Sequence, residues 1–173
     1  TVALIAGRSF SQRFAWFLFS FAIWDIFYYI FLYLLIGWPE SFMTWDILFL
    51  IPVTWTGPVI TPLILALVMI SFAFIILRFS ASGFISAISK HEWIGLIAGS
   101  LIVIIAFTTD YMRYMLSEFS FGEIFSFSDS SILEYAQHYV PLSFPWFIYL
   151  VGLVVITASV IGYYLRMSKR IKK

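Results

Sequence analysis

The chain has 173 residues, of which 62% are hydrophobic and only 11% charged, with a net charge of +1. A soluble domain is nearer half apolar and a quarter charged, and a water-borne fold this short has no interior large enough to hide so much apolar surface. The lipid bilayer is therefore the expected solvent, and nucleic acid is not an expected partner. With no cysteine, disulfides, thiolate metal sites and cysteine nucleophiles are excluded.

Residues 1–7, Thr-Val-Ala-Leu-Ile-Ala-Gly, are apolar and run into Arg8. They lack the order of charged, apolar and small-residue regions that marks a secretory signal. They read either as a short interfacial segment or as the tail of a further span. A helix needs about 20 apolar residues to cross the hydrocarbon, and four stretches meet that need. The first is 14–36, interrupted only by Asp25. The second lies within Ile47–Leu77, which is free of charge but holds Pro52, Pro58 and Pro62. Proline removes a backbone donor and disfavours helix just before it. Ile47–Trp55 is thus expected to be a proline-broken interfacial or re-entrant segment packed on the bundle. The crossing helix then covers 56–77, with Pro58 in its first turn, where it is tolerated. The third span is 93–115, with Asp110 and Arg113 near its end. The polar connection Ser117–Pro141 follows, with Phe119, Phe121, Phe125 and Phe127 set among serines and acids. A surface helix over Ser130–His138, capped by Asp129 or Ser130, competes there with a solvated loop. The fourth span is 142–165. The expected fold is a single all-α integral membrane domain over 1–173, a bundle of about four transmembrane helices.

Charge fixes the expected orientation. Arg8 and Arg13 precede the first span, Arg78 and Lys90 separate the second from the third, and Arg166, Lys169, Arg170, Lys172 and Lys173 follow the fourth. Only Arg113 falls on the other side, so both termini are expected in the cytoplasm. The acids mirror this: Glu40, Asp46, Asp110, Glu118, Glu123, Asp129 and Glu134 fall outside and Glu92 inside. Trp38, Trp45, Trp55, Tyr111, Tyr114, Tyr139 and Trp146 gather at the outer boundary and Trp16, Trp93, Tyr163 and Tyr164 at the inner one, as an aromatic belt.

Helices in lipid associate through small residues that let backbones approach. Gly95 and Gly99 form a GxxxG on the third span, and Ala158 and Gly162 repeat the spacing on the fourth, with Gly152 upstream. Ordinary packing within the chain is the expected use.

Asp25 is the most informative polar residue, near the midplane of the first span. A charged carboxylate there costs at least ~2.5–3.5 kcal/mol. Protonation, a hydrogen bond to Ser71, Ser100, Thr157 or Ser159, or a cation of another subunit would each relieve the cost. Asp110 and Arg113 stand three residues apart and are expected to pair on one helical face. His91 and His138, the only histidines, fall at opposite membrane boundaries and so cannot ligate one haem within the chain. No cofactor can be named. No HExxH, Walker, GxSxG or dinucleotide pattern occurs. An intramembrane enzyme built on Asp25 and Asp110 meets the difficulty that the two lie at different depths. Trp-Asp-Ile occurs twice, at Trp24-Asp25-Ile26 and Trp45-Asp46-Ile47, which reads as coincidence.

The stretch Gly37-Trp38-Pro39-Glu40-Ser41, Thr44-Trp45-Asp46-Ile47-Leu48-Phe49-Leu50-Ile51-Pro52, Trp55 and Gly57-Pro58-Val59, with Trp24 to Tyr29 before it, resembles a pattern in small polytopic bacterial membrane proteins without an assigned activity. About 45 residues carry the likeness. It implies a bacterial cytoplasmic membrane, and that Asp25 and the external turn belong to one structural unit. The expected function is that of a small non-catalytic accessory subunit of a larger membrane complex, one handling electrons or protons. Its acidic outer face would suit a basic extracytoplasmic protein. The alternative is a proton-coupled transporter or ion-conducting protein using Asp25.

Overall fold

The computed structural model describes residues 2–82, 87–125 and 130–171. A short helix α1 (Val2–Ala6) leads into α2 (Phe10–Ile36). Ser9 starts α2 because its hydroxyl accepts the Gln12 amide while the Gln12 side chain accepts the Ser9 amide, a reciprocal cap. Gly37 ends it at φ 71°, a left-handed conformation that glycine adopts without penalty, and returns its N–H to the Tyr33 carbonyl.

Two strands follow, β1 (Trp45–Phe49) and β2 (Trp55–Pro58), paired antiparallel with Asp46 opposite Gly57 and Ile47 opposite Thr56. The hairpin takes the place of the interfacial or re-entrant segment expected over Ile47–Trp55, and it does pack on the bundle, through Leu48 and Trp55. The prolines did mark a break, but the chain resolves it by pairing its backbone as a hairpin, with Pro52 in the connecting loop and Pro58 closing β2. The register shifts around Leu48, bending the ladder.

The next helix, α3, covers Ile60–Ala81 rather than 56–77. Its first amides find acceptors in the chain that leads into the hairpin: Val59 N–H donates to the Thr44 carbonyl and Ile60 N–H to that of Phe42. The Thr61 hydroxyl donates to the Pro58 carbonyl at 2.7 Å. The hairpin and the start of α3 are thus one hydrogen-bonded unit, which is why the helix starts only after Pro58.

Helix α4 (Lys90–Met115) opens on a second reciprocal cap, Ser89 with Glu92. A one-turn helix α5 (Phe121–Ile124) and the helix α6 (Ser130–Gln137) lie in the long connection; Phe127 and the cap Asp129 fall outside the described residues, as does the Ser130 side chain. The last helix, α7 (Trp146–Ile171), starts four residues later than expected and runs past Leu165. Helices α2, α3, α4 and α7 are each long and apolar enough to cross a membrane. The all-α expectation is amended by the two-stranded hairpin.

The four helices pack as two pairs, α2 against α3 and α4 against α7. One core cluster joins them at the end where the termini lie, with Ala15, Leu18, Phe72, Ile76, Phe79, Leu96, Val160, Tyr163 and Met167. A second, with Val103, Ala106, Phe107 and Tyr149, lies towards the hairpin and has Leu48 and Trp55 against it. A third joins Val53 of the hairpin loop to Tyr111, Met115, Ile124 and Ile132.

Helices α4 and α7 touch at backbone distance. A Cβ on Gly99 would lie 2.9 Å from the Gly152 carbonyl oxygen and 3.0 Å from the Ile156 nitrogen, and one on Gly95 would strike the Ser159 hydroxyl. The α7 residues in this contact are Gly152, Ile156 and Ser159. Ala158 and Gly162 are exposed, and a Cβ on Gly162 would meet nothing within 4 Å. Their small size therefore does no packing here: the contact row of α7 is rotated away from them.

Near the terminal end, Glu92 accepts from Arg166 on both oxygens at 2.7 Å, a two-pronged pair, and Arg166 also donates to the Ala87 carbonyl. The pair ties the start of α4 to the end of α7, and Glu92 is 8% exposed.

Candidate functional site

Between α2 and α4 the bundle does not close. Phe10 and Phe14 meet Trp93 at the terminal end, with Phe14 and Trp93 ring centroids 4.9 Å apart. Beyond that contact the seam widens into a cavity of about 670 Å³. Its floor is α3 and α7, through residues such as Phe72, Val68 and Val160, and its roof is the hairpin, through Ile47, Leu48, Phe49 and Trp55. Phe17 and Trp24 line it while remaining more than half exposed, so the cavity reaches the side of the bundle.

The lining is strongly aromatic. An unbroken ladder climbs α2 from Phe17 to Phe21, Trp24 and Tyr28, with successive centroids 6.2, 5.9 and 6.1 Å apart. Spacings of three and four residues put these rings on one helical face. From the roof, Trp55 makes an edge contact with Phe49 at 5.1 Å and stacks on Phe107 at 6.5 Å. The Trp55 indole N–H is buried with no acceptor among the described residues.

Two carboxylates interrupt this wall, Asp25 from α2 and Asp46 from β1. Asp46 accepts a 2.8 Å hydrogen bond from the Tyr29 hydroxyl and another from the Ile47 amide. Even so, burial raises its carboxyl above the ordinary aspartate range, outweighing both donors. Asp25 has no hydrogen bond or ion pair among the described residues. Of the partners expected for it, Ser71 and Ser159 turn back to the Leu67 and Val155 carbonyls of their own helices, and only Ser100 shares the cavity. No Lys, Arg or His lines the cavity among the described residues.

Asp46 is the functional candidate that sequence reasoning missed. By sequence it belongs to the outer loop, and the doubled Trp-Asp-Ile reads as coincidence. The hairpin folds back over the seam and brings the second Asp to the same cavity as the first.

Asp110 and Arg113 do not pair. Asp110 turns inward and accepts four bonds: from the Tyr139 hydroxyl at 2.9 Å, the Leu142 amide at 3.0 Å, and the Ser143 amide and hydroxyl at 3.1 Å each. These donors come from the chain entering α7, where backbone N–H groups lack helical partners. Arg113 is exposed, with no ion pair among the described residues. Since Tyr139 gives its proton to Asp110, the Thr56 hydroxyl 3.0 Å away is the donor to Tyr139. Burial, with the nearby Asp110 carboxylate, holds the Tyr139 phenol above its ordinary range. Asp110 is thus the anchor that binds α4, the strand β2 and the start of α7 together. His91 and His138 stand at opposite ends of the bundle, and the His138 ring lies against the Glu134 carbonyl. No group of three or more His, Asp or Glu with metal-binding geometry occurs among the described residues.

Comparison with known protein families, with curated proteins and with solved structures finds no match.

Proposed function

We propose that the chain is a non-catalytic, four-span subunit of the bacterial cytoplasmic membrane whose task is to hold a lipophilic molecule in the α2–α4 seam. The cavity is the observation that carries this reading: about 670 Å³, walled by aromatic and aliphatic side chains, open to the side of the bundle and marked by two carboxylates. Sites of this size with an apolar wall and few polar groups are those that bind small molecules. The proposed orientation is supported by the basic residues: Arg8, Arg13, Arg78, Lys90, Arg166, Lys169 and Arg170 belong to the terminal end, which favours a cytoplasmic terminal end and an outer hairpin. A lateral opening faces lipid in this arrangement, so a membrane-dissolved molecule reaches the site without crossing water. Helix α2 is the least buried of the four, which fits a subunit seated in a larger assembly that handles electrons or protons, and the cavity gives such a subunit a task.

The test is binding of a neutral fluorescent lipophile, N-phenyl-1-naphthylamine, to the protein in phosphatidylcholine nanodiscs, with protein-free discs as background. Saturable binding is expected. Ser100→Trp, which adds an indole to the cavity wall of α4, is expected to weaken it by about tenfold, the equivalent of one lost aromatic contact. Signal that never saturates, or a Ser100→Trp protein that binds as well as the parent, would refute the reading.

A further inference from the structure

The charged side chains of the cavity wall are of one sign among the described residues. Among the described residues its only ionisable groups other than tyrosines are Asp25 and Asp46, and no cationic side chain lines it. One of the two, Asp46, already has donors in Tyr29 and Ile47; Asp25 has none among the described residues. The rings of Phe21, Trp24 and Tyr28, in contact with one another along the same helix, line the cavity together with Asp25. A carboxylate beside aromatic faces is the combination that stabilises an organic cation, because ring faces and carboxylate both present negative potential.

We infer that the cavity takes a lipophilic organic monocation, an apolar body with one ammonium- or phosphonium-type centre, held with its charge against Asp25 and Asp46 and its body along the α2 aromatic ladder. This rests on the proposed lipophile-binding reading and names its ligand class. An inorganic divalent ion fits worse: calcium takes six to eight oxygen ligands, whereas the cavity offers the oxygens of two carboxylates and a few hydroxyls in an otherwise aliphatic and aromatic wall. An organic cation is weakly hydrated and brings its own apolar surface, which the remaining wall buries. An anion of the same shape meets two like charges and no counter-charge.

Tetraphenylphosphonium and tetraphenylborate are near-isosteric and opposite in charge, and serve as the probes. Each is titrated against the neutral fluorophore bound to the protein in phosphatidylcholine nanodiscs, with partitioning into protein-free discs subtracted. Tetraphenylphosphonium is expected to displace the fluorophore at concentrations about tenfold lower than tetraphenylborate. Asp25→Asn with Asp46→Asn, its folding verified by helical circular dichroism, is expected to remove most of that difference. Equal displacement by the two ions on the parent protein overturns the cation inference and leaves the lipophile site standing. A preference for the cation that persists in the folded double variant likewise overturns the role of the two carboxylates. Absence of saturable fluorophore binding to the parent removes both readings together.

Discussion

Asp110→Ala is expected to be the most destabilising substitution towards the hairpin end of the bundle, lowering stability by on the order of 3 kcal/mol. The carboxylate accepts from Tyr139, the Leu142 amide and both donors of Ser143, and alanine leaves all four without that acceptor. Donors at exposed Leu142 and Ser143 recover partners in water, so the loss is smaller than a sum over four charged hydrogen bonds. The Tyr139 phenol is half-buried and has no such recourse, and its link to Thr56 loosens with it. Asp110→Asn is the informative companion. It keeps one acceptor oxygen but turns an amide donor towards groups that are themselves donors, and should lose about half as much. Melting of the purified protein in detergent reads both. If Arg113 were the partner of Asp110, Arg113→Ala would cost as much as Asp110→Ala; it is expected to change the melting temperature little, because Arg113 is exposed and unpaired among the described residues.

The second large effect belongs to Gly99. An added Cβ would sit 2.6 Å from Ile156 Cγ1 and within 3.0 Å of two backbone atoms of α7. A side chain can turn away, but a helix backbone must move as a whole, so Gly99→Ala already forces α4 and α7 apart. Overpacking of this kind costs about 1–3 kcal/mol, and Gly99→Leu should exceed that range. Gly162→Ala is the matched control: open space surrounds the new methyl, and replacing glycine inside a helix favours the helix by up to about 1 kcal/mol. Thermal melting should therefore fall for Gly99→Ala and hold or rise for Gly162→Ala.

The contrast between these glycines shows where sequence reading stops. Four long apolar runs marked the long helices because lipid demands length and apolarity, and both properties can be counted. Rotation about the helix axis cannot be counted in the same way. In spans apolar all round, spacing alone does not say whether Gly152 or Gly162 faces α4, and the structure selects Gly152. The hairpin was hidden for a related reason. Its residues, Trp45–Phe49 and Trp55–Pro58, are as apolar as their neighbours, so they lack the alternation that marks a half-buried strand. Prolines announced a break there, and only long-range bonds, such as Val59 N–H to the Thr44 carbonyl, decide what the broken chain does.

The site was legible in half. Asp25 stood out because a carboxylate in the middle of a span is costly wherever it points. Asp46 did not, because an acid between two spans is unremarkable until the hairpin is known to fold over the α2–α4 seam. Glu92 and Arg166 were similarly silent: each read as one more charge at the terminal end, and the pairing depends on α4 and α7 being neighbours. The signal within reach was the second Trp-Asp-Ile, whose aspartate shares the cavity with that of the first.

Photolabelling tests most directly whether the α2–α4 seam is a binding cavity rather than a lipid-filled groove. A lipophile reaches the seam from the bilayer, so the probe is benzophenone, which partitions into lipid and on illumination inserts into C–H bonds beside it. Labelled sites on the protein in phosphatidylcholine nanodiscs are mapped by mass spectrometry, with and without excess N-phenyl-1-naphthylamine. Phe21, Trp24 and Val103 line the cavity, whereas Phe74 of α3 is exposed and does not. The account predicts labelling at the first three that N-phenyl-1-naphthylamine suppresses, while labelling at Phe74 is unaffected by it. Labelling that N-phenyl-1-naphthylamine leaves unchanged at the cavity residues, or lowers equally at Phe74, would contradict it.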